Sequence, residues 1–330
     1  MRLLSTALLL LLFVSLSAQA AVRIQPRVIG GTIVADDAWP AVVAVRMEVR
    51  SSGGKRLERR CVGTLIAPNW VMTAAHCFYS EREPSLKPDA TAAQTTVFVD
   101  RAEISSEVLR PEKGYPAANV VIHPDFSPLF RRYDSDIALI ELAWPVENTA
   151  VQPLGANPQA GEMATIVGWG VTEVGLDGEP KSNARLADEL HEADLPIVDT
   201  ATCRLAMGSG NVTANMICAG FPDGGVDSCI GDSGGPLLVK QGDVYRQVGI
   251  VSFGDGCARA DRYGVYTRVP AFADWISELT GVSAPGGANA EPADAPTTRT
   301  ADVPVRPRFG GGAVLWLPVL LPVLCRRCLT

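Results

Sequence analysis

Between Val28 and about Val269 the apolar residues arrive in short runs, among them "AVVAVRMEV", "TTVFVD", "IALIEL", "ATIVGWG", "PLLVK" and "RQVGIVSFG". Clusters of Gly, Pro, Asn and Asp separate them. Runs this short read as strands, and turn chemistry at short, irregular spacing points to an all-β barrel or sandwich. One segment, "VPAFADWISEL", has a helical period. It puts Phe272, Trp275, Ile276 and Leu279 on one face, with Pro270 near the first turn and Gly281 as the stop. The 330 residues suffice for one large or two modest domains, and no internal repeat is evident. A formal charge of −7 is not the footprint of a nucleic-acid partner.

The ends of the chain follow other rules. Arg2 precedes the apolar run Leu8 to Val14 and then "SAQA", an Ala-x-Ala site ending at Ala20. Residues 1–20 therefore read as a secretory signal peptide, too short and wrongly flanked for a spanning helix. An exported protein matures in an oxidising compartment, where cysteines pair. Of eight cysteines, Cys61, Cys77, Cys203, Cys218, Cys229 and Cys257 lie in the body. Six cysteines allow about 15 pairings, and spacing alone does not choose among them. With no CxxC in the body and three histidines in the chain, neither a metal nor a cofactor is expected. After Gly281 the composition changes: residues 282–309, rich in Ala, Pro, Gly and small polar residues, read as a disordered linker. Residues 310–330 follow as glycines, an apolar run and two arginines, and the CxxC at Cys325 and Cys328 is incidental to that tail.

The stretch "DSCIGDSGGPLL", Asp227 to Leu238, carries the chemistry. A serine hydroxyl is a weak nucleophile, so Ser233 needs a base, usually histidine, and a third group to fix the histidine tautomer. Three histidines are candidates: His76 beside a cysteine in "MTAAHC", and His123 and His191 in polar, turn-like settings. Composition does not select one of the 36 acidic residues, though Asp136, which opens the apolar run "IALIEL", has a setting in which it could be buried against an imidazole.

Taken together and in order, "TAAHC", "DIAL" and "GDSGGP" resemble the trypsin and chymotrypsin family of serine endopeptidases, over roughly residues 28–281. The chain order His, Asp, Ser matches that family and not the subtilisins or α/β-hydrolases. The resemblance implies two antiparallel six-stranded β-barrels with the site between them and a C-terminal helix. It makes Ser233 the nucleophile, His76 the general base and then acid, and Asp136 the orienting carboxylate. Gly231 and Ser233 N–H groups become the oxyanion hole, where backbone donors must face the charge that develops on a carbonyl oxygen. Asp227 takes the base of the specificity pocket, with Ser228 beside it and Gly254 and Gly264 as open walls, which implies cleavage after Arg or Lys. Ser252 resembles the pocket-side serine that supports the triad aspartate. In "QPRVIGGT" the bond Arg27–Val28 resembles a zymogen activation site, residues 21–27 being the propeptide. The freed Val28 ammonium would pair with Asp232. The same resemblance pairs Cys61 with Cys77, Cys203 with Cys218 and Cys229 with Cys257.

Several features depart from the family pattern. Phe253 stands where tryptophan is more usual and Ile230 where a polar rim residue is common. The basic stretch "RSSGGKRLERRC" is longer than the family's hairpin and reads as a solvated loop, with an exosite for an acidic partner as the alternative. "NVT" at Asn211 is a glycosylation sequon only in a host that glycosylates. The tail, with Ala313–Cys325 only 13 residues long and broken by Pro318 and Pro322, resembles a bacterial GlyGly-type sorting signal. It implies transient membrane contact, cleavage near Gly310 to Gly312, and a protein secreted by or held at the surface of a bacterium. The expected partners are substrates with Arg or Lys before the cleaved bond, protease inhibitors, and an activating protease or the enzyme itself. A family member without activity that serves as a binding module, and a surface-anchored structural protein, are the competing readings.

Overall fold

The structure, a computed structural model, describes residues 28–285 apart from 36, 51–54, 81–86, 129–132 and 176. The signal peptide, the propeptide, most of the linker and the tail expected from sequence lie outside the described residues. In chain order the strands are β1 (Thr32–Ile33), β2 (Val42–Arg50), β3 (Arg56–Ala67), β4 (Trp70–Thr73), β5 (Thr95–Phe98), β6 (Tyr115–Ile122) and β7 (Ala138–Leu142). They continue as β8 (Met163–Gly168), β9 (His191–Val198), β10 (Met216–Ala219), β11 (Pro236–Gln241), β12 (Val244–Phe253) and β13 (Gly264–Arg268). Two helices join them, α1 (Thr200–Met207) before β10 and α2 (Ala273–Thr280) at the end.

The strands close two antiparallel barrels. In the first the order is β2-β3-β4-β7-β6-β5, with β5 returning to β2. In the second, β9-β10-β13-β12-β11-β8 closes through β8 onto β9, and the short β1 adds to β9 from outside. Closure removes the exposed sheet edges that invite aggregation. Side-chain alternation decides what each strand faces. Along β2, Val43, Val45 and Met47 fill the first barrel, while Val42 and Ala44 point the other way, into a cluster with Trp169 and Leu238 of the second barrel. The strand is apolar on both faces because one lines a barrel and the other lines the seam.

Three local readings change. The stretch from Arg50 read as a loop is largely strand: β2 and β3 stay in register from Val42↔Thr64 to Arg50↔Arg56. Some of the hairpin's cations are matched within it or beside it. Arg46 meets Glu58 at 2.9 Å and Glu48 at 3.0 Å, and Arg59 meets Asp89 at 3.5 Å. Helix α1 was not expected, since its apolar face is only Cys203 with the partly buried Ala206 and Met207. It is held by Asp199, whose side chain accepts the Thr202 N–H at 2.8 Å as an N-cap, and by the disulfide from its one buried residue, Cys203, to Cys218. At the C-terminus a 3-10 turn, Val269–Phe272, precedes α2, and Gly281 ends it with φ 73°. Phe272 and Ile276 bury into the first barrel's core, but Leu279 is 37% exposed. Leu279 lies three positions beyond Ile276 in the last turn of α2, just before the Gly281 stop, and there it stays partly exposed.

Truncating Ile276 to Ala should therefore cost about 2–5 kcal/mol of stability through lost burial and a cavity. Leu279→Ala should cost about 0.5 kcal/mol or less. Urea unfolding of the two variants measures both, and equal losses would contradict the observed helix orientation.

Candidate active site

His76 sits in the 3-10 turn Ala75–Phe78 just after β4, and the Cys61–Cys77 disulfide ties that turn to β3. Asp136 lies just ahead of β7 and is wholly buried. Its Oδ1 accepts the His76 backbone N–H at 2.8 Å, and its Oδ2 faces His76 Nδ1 at 2.7 Å. A carboxylate only accepts, so the proton of the neutral ring belongs on Nδ1 and the lone pair on Nε2. The second barrel completes the shell: Ser252 Oγ on β12 donates to Oδ2 at 2.5 Å, and Thr267 Oγ1 on β13 donates to the Asp136 carbonyl at 2.8 Å.

Ser233 stands on the turn leading into β11 and lines the same cleft as His76, a cavity of about 780 Å³. The Val62 N–H of β3 donates to the Ser233 carbonyl at 2.8 Å, so the first barrel steadies a turn of the second. Gly234 has φ 82°, and a Cβ there would run into Val62 O and Thr73 Oγ1, so only glycine serves. Gly231, with φ 99°, turns the chain so that its N–H and that of Ser233 meet no acceptor among the described residues. Two unengaged backbone donors beside a serine hydroxyl suit an anionic oxygen.

The cleft runs to Asp227, 5% exposed, whose Oδ2 accepts the Ala258 N–H at 3.0 Å while Oδ1 is buried without a hydrogen-bond partner. Burial pushes this carboxyl up to about 7, against the pull of the Ala258 and Ser228 hydrogen bonds and with a further push from the Asp232 charge. A Cβ on Gly264 would come within 2.8 Å of Asp227 Oδ1, so any side chain there would crowd the carboxylate. Gly254, Ser228 and Phe253 also line the cleft, and Phe253 stacks on Tyr133 at 5.5 Å. Exposed Ile230 forms part of the rim. Ser252 has two settings: it lines the cleft and bonds Asp136.

Asp232 points inward from the same turn. It accepts the Gly170 N–H at 2.7 Å and the Cys229 N–H at 2.9 Å, yet burial still pushes it up to about 6. The run "GWG" is explained here, because a Cβ on Gly168 or Gly170 would overlap the Asp232 carboxylate. Val28 is 1% exposed in the second barrel's core, and the Ile29 carbonyl accepts the Asp227 N–H at 3.2 Å. Arg27 lies outside the described residues. Disulfides join Cys61–Cys77, Cys203–Cys218 and Cys229–Cys257, the last bracing the turn of Asp227.

The other histidines lie elsewhere. His123 packs edge-on against Phe272 and Trp275, both at 5.0 Å, and burial lowers its pKa. His191 is buried on β9 beside a second, smaller cavity. Cys61, His76 and Cys77 are close enough to suggest a metal, but the two sulfurs form a disulfide and offer no thiolate. Tyr133, packed edge-on to His76 at 5.8 Å, and Thr267 escaped sequence reasoning. Thr267 is 131 positions from Asp136, a contact no local pattern announces.

Comparison with known proteins agrees with this geometry. Residues 28–276 match the trypsin family, so the chain belongs to it, and the barrels carry the framework of a trypsin-like serine endopeptidase. Human serine protease 56 is 37% identical over 270 residues, 79% of this chain and 40% of that protein. Human transmembrane protease serine 5 is 34% identical over 259 residues, 76% of this chain and 51% of that protein. The chain thus spans about half or less of the length of these relatives.

The Asp227 carboxyl gives a pH test. Its folded pKa of about 7 exceeds the ordinary 3.8, so its contribution to stability is complete below about 3.8 and lost as pH rises through about 7. A cation against the carboxylate reverses the preference. Binding of an alkylguanidinium to the Ser233→Ala protein should therefore release close to one proton at pH 6 and almost none at pH 9. Calorimetry in buffers of differing ionisation heat reads this, with Asp227→Asn as the control that releases none.

Proposed function

We propose that this chain is a secreted serine endopeptidase, made as a zymogen, that cleaves peptide bonds after Arg or Lys through an acyl-enzyme on Ser233. The observation that carries the reading is one cleft lined by Ser233, by the Asp136-bonded His76 and by the buried carboxylate of Asp227. In this scheme His76 Nε2 takes the Ser233 proton as Oγ bonds to the substrate carbonyl carbon. Asp136 stabilises the imidazolium, and the N–H groups of Gly231 and Ser233 hold the oxyanion. The C–N bond then breaks, and His76 returns the proton to the leaving amine. Water repeats the sequence on the acyl-enzyme and frees Ser233.

Specificity for Arg and Lys is supported by Asp227, since a buried carboxylate without a partner is costly and a substrate cation would relieve it. Ser228 can hydrogen-bond a lysine ammonium beside it. Activation at Arg27–Val28 is supported by the buried course of Val28 and Ile29 next to Asp227. The freed ammonium, with an ordinary pKa of about 7.7–8, would be raised by pairing with Asp232. Its stabilisation would be complete below that range and lost as pH rises through the raised value. The partners in this reading are Arg- or Lys-containing proteins and peptides, protease inhibitors, and an activating protease or the enzyme itself. Three disulfides fit an oxidising, extracellular setting. Among the described residues no helix is long and apolar enough to cross a membrane. Export by residues 1–20, and transient membrane contact and sorting through residues 310–330 in a bacterial host, are proposals from sequence alone. The two relatives compared are human and lend the bacterial host no support.

Ser233→Ala should abolish hydrolysis of an arginyl amide. Asp227→Ser should cost about 3–5 kcal/mol in kcat/KM for that substrate, because a buried cation would lose its partner. A wild type that prefers Phe or Leu would refute the pocket assignment. Active enzyme should begin Val-Ile-Gly-Gly on N-terminal sequencing. An Arg27→Gln protein that keeps its propeptide should be inactive, and full activity from it would reject the zymogen.

A further inference from the structure

Just ahead of Asp136 the backbone is bent in a way the catalytic scheme does not use. Tyr133 and Ser135 have φ of 40° and 56°, in the left-handed region that side chains other than glycine rarely adopt. Ser135 is also buried. Such a turn persists only where its surroundings hold it. Asp134, between the two, supplies the hold. Its Oδ1 accepts three hydrogen bonds: from the Ser135 N–H at 3.0 Å, from Thr213 Oγ1 at 2.8 Å and from Asn215 Nδ2 at 3.1 Å. The last two donors come from the turn before β10, in the second barrel.

That turn is anchored in its own right. The Asn215 N–H donates to Thr213 Oγ1 at 3.2 Å. The Asn215 carbonyl accepts the Arg268 N–H at 2.8 Å, and Arg268 Nε donates to the Ala214 carbonyl at 3.0 Å. Arg268 ends β13, the strand whose Thr267 bonds the Asp136 carbonyl. Strand β13 therefore reaches this segment twice, directly at Asp136 and through the 213–215 turn at Asp134. We infer that Asp134 is a positioning residue: by gripping Thr213 and Asn215 it holds the strained 133–135 turn against the second barrel. It thereby sets Asp136, and with it the His76 ring, relative to Ser233. Tyr133, edge-on to His76 and stacked on Phe253, is carried on the same turn. The inference rests on the roles proposed for Ser233, His76 and Asp136.

The hydrogen bonds, not the charge, make the grip, because all three donors meet Oδ1. In Asp134→Asn the amide oxygen keeps that place, and the NH₂ takes the position of Oδ2, which has no hydrogen-bond partner among the described residues. In the activated full chain, Asp134→Ala should lower kcat per titrated active site at least ten-fold on an arginyl amide, with KM within two-fold. Asp134→Asn should stay within three-fold of wild type. Thr213→Val, which removes one cross-barrel bond, should lower kcat at least three-fold, and it carries the test if Asp134→Ala does not fold. A kcat within two-fold of wild type in Asp134→Ala, or in Thr213→Val where that variant carries the test, would overturn the inference. So would an Asn variant that falls as far as the Ala variant. The low-field proton NMR signal of His76 Nδ1–H provides an arm independent of turnover. It should shift or vanish in Asp134→Ala and persist in Asp134→Asn, and an unchanged signal in the Ala variant would overturn the assignment. A wild type without hydrolysis would refute the proposed function and leave this resonance to decide the positioning role.

Discussion

The carboxylate of Asp136 is buried in the seam between the barrels and is held from both sides. His76 supplies a backbone N–H and a ring nitrogen from the first barrel, and Ser252 supplies a hydroxyl from the second. Removing a carboxylate from water costs several kcal/mol unless hydrogen bonds replace its hydration. Here the replacement is complete only when the barrels are closed on each other. Opening the seam would remove the Ser252 hydroxyl and let water in to the carboxylate and the His76 ring, so the geometry of the site and the docking of the barrels are one constraint. Trp169, Leu238 and Val42 pack the seam with apolar surface and help hold the barrels together.

The turn from Asp227 to Gly235 is the counterpart on the second barrel. Two acids on it, Asp227 and Asp232, are buried and pushed up to about 7 and about 6. A stable fold does not need two such groups five positions apart. Under the proposed function each has a cation to meet, a substrate side chain for the first and the new N-terminus for the second. The Cys229–Cys257 disulfide and the Val62–Ser233 backbone bond hold the turn while those charges are unmatched. The basic β2–β3 hairpin illustrates the opposite economy. Arg46 and Arg59 find Glu48, Glu58 and Asp89 nearby, partly exposed pairs worth about 0–1 kcal/mol each.

Much of the architecture was legible because it is local. Strand alternation and turn residues repeat every few positions, so the short apolar runs announced an all-β body, and the period of "VPAFADWISEL" announced the terminal helix. Helix α1 was not legible. Its apolar stripe, Cys203 with partly buried Ala206 and Met207, is too short to stand out in the sequence, and a cap and a disulfide add to its hold. Leu279 has the period of the buried face, three positions after Ile276, and its exposure in the last helical turn is decided by packing that the period does not contain. The hairpin after Arg50 was misread because its charges hide a strand whose partners lie on β2.

For the site, the residues taken one at a time established that Ser233 needed a base and left three histidines and 36 acids open. Family resemblance narrowed these to His76 and Asp136. Only the tertiary structure brings those two to 2.7 Å across 60 positions, adds Ser252 from 116 positions away, and ties Asp134 to Thr213 across 79. The reason is physical. Periodicity and turn chemistry act over a few residues and are written into any short window, whereas a buried carboxylate chooses its donors by closure of two barrels, which no window contains.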